Sequence, residues 1–168
     1  MKLLTKQQIA AVLPGLVLMA AIEAGFVAYS QERAIVPPVG ELLLADPPGE
    51  VHIKYGYIKD EEYYVIKIAS GFYDNPGLGL PSSNGLMLLF SQKTGQLVST
   101  FLDEGLLTDI RTAVAGAIAA KYLGPREVGC IGIVGTGMQA RLQLQHLRAV
   151  TECRQVLVWG RDQAKLTA

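Results

Sequence analysis

VGCIGIVGTGMQAR, residues Val128–Arg141, sets the reading of the whole chain. A short apolar run, Cys130 to Val134, stops at Gly135, and Gly135-Thr136-Gly137-Met138-Gln139-Ala140 follows. Apolar residues then recur at helical spacing (Leu142, Leu144, Leu147, Val150), and a second strand-like run, Val156–Trp159, closes a βαβ unit. A strand, a glycine turn and a helix N-terminus make a cradle for a dinucleotide pyrophosphate. Gly135 permits the tight turn, Gly137 admits phosphates close to the backbone, and the small Ala140 lets helix and strand pack. The free N–H groups and positive dipole end of the helix face the anion. The spacing alone leaves open a glycine turn in an α/β protein that binds no nucleotide.

Composition narrows the class. Half of the 168 residues are hydrophobic and 18% are charged, which describes a globular chain with a real core. Lys plus Arg and Asp plus Glu balance at 15 each, which argues against a nucleic-acid surface and predicts a small, neutral-to-anionic ligand. Two cysteines are too few for a disulfide framework, and Cys130 reads as a small hydrophobe inside a buried strand. No Cys/His cluster offers a metal site, and His52 and His146 stand alone as surface or packing residues.

Met1–Ala28 has lysines before an apolar run, but Pro14 and Glu23 interrupt it, which weighs against a signal peptide or a membrane span without closing either reading. Two short amphipathic helices are expected instead, the first capped by Thr5 and the second running from Gly15 to Gln31. With no targeting signal or membrane contact, the cytoplasm is the expected compartment. From Arg33 to Leu102 the period changes to that of strands. Ala34–Pro38 leads into Glu41–Ala45, a turn at Asp46–Gly49 leads to Val51–Ile58, and Lys59-Asp60-Glu61 turns the chain into Tyr63–Ile68. Ser70–Pro81, rich in glycine and proline, is expected to be an irregular, functional loop. Leu86–Phe90 and Gln96–Leu102 then pair across Lys93-Thr94-Gly95 in an antiparallel sheet. Asp103-Glu104-Gly105 ends the sheet, and Thr108 is the expected N-cap of a connector helix that Gly124-Pro125 terminates. Its alanines and Gly116 allow another element to lie close.

Two cations are unusually placed. Lys67 sits in Val65-Ile66-Lys67-Ile68, on the face opposite the isoleucines. Position alone leaves it open between a solvated strand face and a ligand contact. Arg111, expected in the first turn of its helix, opposes the dipole there and so calls for a carboxylate or phosphate partner. A surface or interdomain salt bridge would meet the same need.

At this point the chain resembles the ornithine cyclodeaminase/mu-crystallin family, which includes archaeal-type alanine dehydrogenases and ketimine reductases. The resemblance covers nearly the whole chain. It rests on Lys67 in its strand, Gly79-Leu80-Pro81-Ser82, Lys93-Thr94-Gly95, Leu107 to Ala113 with its Arg111-Thr112-Ala113 element, and Gly135 to Ala140. It implies an α/β fold: an antiparallel-sheet α+β substrate and dimerisation domain (1–107), a connector helix (108–125) and the start of a Rossmann-type parallel-sheet domain (126–168). It implies an NAD(P) cofactor, a small amino- or imino-acid substrate, a homodimer, and hydride exchange at the substrate α-carbon. Lys67 and Arg111 would hold the substrate carboxylate. Ser82, Arg111 and Thr112 would lie toward the nicotinamide, and Gly135, Thr136, Gly137, Met138, Gln139 and Ala140 would hold the pyrophosphate. A catalytically silent NAD(P)H-binding protein of the crystallin type is the alternative, and an inactive truncated product a further one.

Three positions depart from the family pattern. Gly40 stands where an arginine usually helps to clamp the carboxylate, which argues against ornithine itself. Trp159-Gly160-Arg161 ends the second parallel strand without an acid, and Arg161 there suits the 2′-phosphate of NADP(H). The family's catalytic aspartate falls beyond Ala168, and a doubly wound sheet needs about five or six strands. The chain is therefore expected to be an N-terminal portion.

Overall fold

The structure is a computed structural model, and residues 1–166 are described. The chain forms two compact units. One comprises Met1–Leu16 and Ala24–Leu106, and the other comprises Val17–Glu23 and the chain from Leu107 onward. The fold class is the expected one, a mostly antiparallel sheet followed by a small parallel sheet carrying a helix.

The first unit opens with β1 (Lys2–Thr5), a strand the sequence reading did not anticipate, paired parallel to β7 (Leu97–Leu102) through Lys2↔Ser99 and Leu4↔Phe101. Thr5 then caps α1 (Lys6–Val12) in a reciprocal box: Gln8 N donates to Thr5 Oγ1 at 3.4 Å and Thr5 N to Gln8 Oε1 at 2.9 Å. Pro14 confines Leu13–Gly15 to one 3₁₀ turn, and α2 (Leu18–Ser30) starts three residues later than expected. No single described helix is long and apolar enough to cross a membrane.

The remaining strands are β2 (Ala34–Ile35), β3 (Gly40–Ala45), β4 (Pro48–Ile58), β5 (Tyr63–Gly71) and β6 (Ser83–Ser91). The order across the sheet is β1-β7-β6-β5-β4-β2, with β3 also paired to β4. Most of the expected strands are longer or shorter than their alternation predicted, four of them by more than one residue. β4 starts at Pro48, directly after the Asp46–Pro47 turn, and β5 runs on through Ser70 and Gly71 because both pair with β6. Only Ala34 and Ile35 of the first expected segment are in a strand, and β6 begins at Ser83. The loop is not irregular throughout: Asn75–Leu78 makes a 3₁₀ turn, which Gly79 ends at φ +73°. The Lys59-Asp60-Glu61 hairpin is closed by Gln92, whose Nε2 donates to Ile58 O at 3.0 Å and Tyr63 O at 2.8 Å.

Strand alternation gives the sheet two chemically different faces. One carries Ile53, Tyr55 and Tyr57 of β4, with Tyr64 of β5 stacked on Phe90 of β6 at 5.0 Å between ring centres. The other carries Glu50, His52 and Lys54 of β4, Lys67 and Ala69 of β5, and Gly85 and Met87 of β6.

In the second unit, α3 (Leu106–Leu123, whose first residue belongs to the other unit) buries Ala113, Val114, Ala117 and Ile118. It starts after Glu104 (φ +51°) and Gly105 (φ +86°), so Thr108 lies inside the helix instead of capping it. Glu23 takes the Lys121 ammonium at 3.0 Å and the Tyr122 hydroxyl, which fastens residues 17–23 to the end of α3. Then follow β8 (Ile131–Val134), α4 (Met138–Leu147), β9 (Val156–Trp159) and α5 (Gln163–Leu166). β8 and β9 pair in parallel, Ile131 with Val156 and Val134 with Trp159. Cys130 precedes β8 and is exposed, so it is not the buried thiol expected. Val150 lies past the end of α4. The strands are apolar as buried parallel strands are, yet Val134 is 82% exposed and Trp159 62%. Two strands under one helix layer cannot cover both faces. The helix expected to open at the C-terminus covers Gln163–Leu166; Thr167 and Ala168 lie outside the described residues.

Gly85, opposite Ala69, holds β6 so near β5 that a Cβ on it would meet Ile68 O at 2.6 Å. Gly85→Ala should lower stability by about 1–3 kcal/mol through overpacking against backbone that cannot swing aside. Chemical denaturation measures this, and unchanged stability would show that the strands can spread.

Candidate functional site

The glycine turn shapes the clearest site. Gly135 adopts φ +116°, which an L side chain rarely does, and Gly135 N donates to Trp159 O at 2.7 Å. The turn is thereby tied to the end of β9. Gly160, just past that strand, is where Thr136 comes closest: a Cβ on Gly160 would meet Thr136 Cγ2 at 2.6 Å. Between these segments lies an open cleft of about 540 Å³, lined on one side by Val134, Gly135, Thr136 and Gly137 and on the other by Trp159, Gly160, Arg161 and Asp162. Four of the expected cofactor residues, Gly135, Thr136, Gly137 and Arg161, share this one cleft.

Gly137 is the N-cap of α4 in extended backbone (φ −80°), and nothing among the described residues lies within 4 Å of where its Cβ would be. The protein's own packing therefore does not require glycine there. Among the described residues no side chain caps α4, and its first turn holds no acid. The first-turn amides of Met138, Gln139 and Ala140 lack intrahelical acceptors at the dipole's positive end. An open cradle, unfilled by any Cβ and edged with free donors, fits the phosphates of a dinucleotide. Met138 is exposed, whereas Ala140 faces inward beside Ile133, Val158 and Leu166, where the helix meets the two strands.

Gln139 does something the motif did not foretell. Its carboxamide Nε2 donates to Asp109 O at 3.1 Å and Asp109 Oδ1 at 3.2 Å, joining α4 to the first turn of α3. Its Oε1 is buried with no partner among the described residues. Nearby, Gly116 lets the helices approach: a methyl group there would overlap the Gln143 carboxamide, with Cδ at 2.8 Å. Asp109 occupies the favourable acidic position in the first turn of α3, and Arg111 lies in the second turn. The dipole argument for Arg111 therefore does not hold, because that field fades beyond the first turn. Arg111 is exposed and makes no ion pair among the described residues. Thr112 Oγ1 donates to Thr108 O at 2.7 Å, which leaves its lone pairs as acceptors.

In the first unit, Lys67 stands at the centre of β5, opposite Lys54 and Met87, and is half-buried. Ser82 ends the loop after β5, where Ser82 O accepts from Phe72 N at 2.8 Å. The loop is anchored to β4 by the Tyr73 hydroxyl, which donates to Glu50 Oε1 at 2.7 Å. His52 is not alone, since its Nε2 lies 3.1 Å from Glu41 Oε1. Among the described residues no group of three His, Cys, Asp or Glu could hold a metal ion. Sequence reading passed over Asp162 in the cleft. Its signal was its place just before a helix, and Ala164 N donates to Asp162 Oδ1 at 3.0 Å.

Two outcomes test this geometry. Gln139→Ala removes two donor contacts to Asp109, at a cost of about 1–3 kcal/mol in urea denaturation, and the loss should shrink when Asp109→Ala is already present. Hydrogen bonding to the Glu50 carboxylate, reinforced by its charge, raises the Tyr73 phenol above the ordinary 10.0. A raised folded-state value means that the loop contact contributes fully below about pH 10 and is lost as pH rises through the raised value. Ultraviolet phenolate titration of the protein against Tyr73→Phe should reveal this late tyrosine, and Glu50→Gln should return it toward the ordinary range.

The family model described as ornithine cyclodeaminase/mu-crystallin family matches residues 2–168. An uncharacterized cyclodeaminase of Sinorhizobium fredii is 44% identical over 170 residues, covering 100% of this chain and 51% of that protein. Among solved structures, the Thermococcus litoralis Delta(1)-pyrroline-2-carboxylate reductase in complex with NADH and L-proline superposes with a TM-score of 0.93 at 27% identity, covering 99% of this chain and 51% of that one. An archaeal alanine dehydrogenase dimer with bound NAD gives 0.90 at 28% identity, covering 99% and 50%. The chain thus spans about half the length of the curated relatives it matches. With the family's motif residues set on the expected strands, turn and helices along its length, the chain belongs to the ornithine cyclodeaminase/mu-crystallin family.

Proposed function

We propose that the chain is the part of a nicotinamide-dependent oxidoreductase or cyclodeaminase-type enzyme that carries the carboxylate-binding cations and the pyrophosphate cradle. The substrate is a small amino acid or cyclic imino acid, and the change occurs at its α-carbon. The observation that carries this reading is the α4 N-terminus: among the described residues it is uncapped, free of acids in its first turn, and preceded by Gly137, at which a Cβ would meet nothing within 4 Å. In this role Gly135 to Ala140 hold the pyrophosphate by backbone amides. Lys67 and Arg111 bind the substrate carboxylate, one as a point charge and one as a planar fork. Ser82 and Thr112 offer hydroxyl groups toward the nicotinamide. When bound, that group supplies or accepts the hydride. Relatives support the chemistry: Bacillus cereus Delta(1)-pyrroline-2-carboxylate reductase is 29% identical over 140 residues and Archaeoglobus fulgidus alanine dehydrogenase 31% over 154.

Two finer assignments belong to the same reading. Arg161 lines the cleft and is exposed, so it selects the 2′-phosphate of NADP(H), while Asp162 is engaged in capping α5. The exposed aromatic face of the sheet, with Ile53 at 40%, Tyr55 at 45% and Tyr57 at 40%, is the surface for a second copy. The archaeal alanine dehydrogenase solved as a dimer supports a two-copy assembly.

Fluorescence titration with NADPH and NADH tests the proposal. Saturable binding, tighter for NADPH, is expected, and Arg161→Asp should reverse the preference. Gly137→Val should abolish binding of both nucleotides without altering the far-ultraviolet circular dichroism. An unchanged affinity in Gly137→Val would remove the cradle from the reading.

A further inference from the structure

The polar face of the sheet holds a cation that the family motifs did not single out. β4 and β5 pair in a register that sets Lys54 directly opposite Lys67, with Met87 of β6 on the other flank of Lys67. Directly opposite residues on one face have their Cβ atoms about 4.5–5.5 Å apart, and like charges so placed repel. The surrounding carboxylates do not relieve Lys54. Glu41 is held by His52 at 3.1 Å, and Glu50 accepts from the Tyr73 hydroxyl at 2.7 Å. Among the described residues Lys54 has no ion pair or side-chain hydrogen bond. Beside the two lysines the floor is low, because Ala69 pairs with Gly85 and Gly71 with Ser83. The Glu50 carboxylate and the Tyr73 hydroxyl lie over Gly71, so the small residues next to the lysine row are Ala69 and Gly85.

We propose that Lys54 reads a second anionic group on the substrate, so that the site takes amino or imino dicarboxylic acids. The inference rests on the reading above, in which Lys67 grips the α-carboxylate. A substrate carboxylate so placed brings its side chain along the face, where the next charge it meets is the Lys54 ammonium. An acidic side chain gains a charge-assisted contact there. The distal ammonium of a diamino acid such as ornithine would meet a like charge instead and be rejected. The absence of an arginine at Gly40 fits a site whose positive charge has been redistributed along the sheet.

The test is isothermal titration of the protein, saturated with the nicotinamide nucleotide it binds, with L-glutamate, L-aspartate, L-alanine and L-ornithine. The two dicarboxylates should bind at least about tenfold more tightly than L-alanine and L-ornithine, the range expected of one contact between charged groups. Lys54→Gln should remove that advantage while leaving L-alanine affinity within about twofold, and Lys54→Arg should keep it. Equal weakening of L-alanine and L-glutamate by Lys54→Gln would overturn the inference, since Lys54 would then hold the α-carboxylate. Binding of L-ornithine as tight as that of L-glutamate would overturn it too. Failure of all four amino acids to bind would instead overturn the reading on which it rests, and the inference with it.

Discussion

The backbone at Gly135, held at φ +116° and tied to Trp159 O, is the constraint on which the second unit depends. It stops β8, turns the chain through the glycine pair and releases it into α4 with the amides outward. An L side chain at such a φ stores about 1–3 kcal/mol of strain, so the turn requires glycine for conformational reasons. Gly137 differs, since its φ suits any residue and its surroundings are open. One glycine is required by the backbone, and the other leaves the cradle open.

Small residues extend that geometry into α3. Ala113 and Ala117 are buried to the last few square ångströms, and Gly116 brings α3 against Gln143 of α4. At such separation Gln139 reaches both the carbonyl and the carboxylate of Asp109. The helix bearing Arg111 and the helix that follows the glycine turn are thereby held together by packing and by a polar link. A buried oxygen of Gln139, without a partner among the described residues, is the cost of that link, and it places the carboxamide where a modest displacement would be felt by both helices.

The sheet of the first unit separates two kinds of chemistry by alternation. Tyr55 and Tyr57 of β4 share a face with the Tyr64–Phe90 stack, and the charged side chains of β4 share the other with Lys67. A slip of one residue would exchange the faces. The hairpin at Lys59–Glu61, clamped by Gln92, fixes the register against that slip.

Much of this was legible in the sequence, because local rules govern it. Period-2 alternation, the Thr5–Gln8 box, the turn at Lys93–Gly95 and the strand–glycine–helix order follow from interactions within a few residues. Lys67 stood out because a charge interrupts an apolar strand. What the sequence misplaced depended on distant partners. β1 exists because β7 offers an edge, and β5 extends past Ile68 because β6 pairs with it. α3 starts at Leu106, ahead of the capping-type residue Thr108, because the backbone turns at Glu104 and Gly105. The link from Gln139 to Asp109 and the meeting of Lys54 with Lys67 join residues far apart in the chain. Local chemistry determined which segments are strand, turn or helix and which residues could bind an anion. The tertiary structure decided which of those residues share a face, because pairing register and close helix approach are set by contacts that no local spacing encodes.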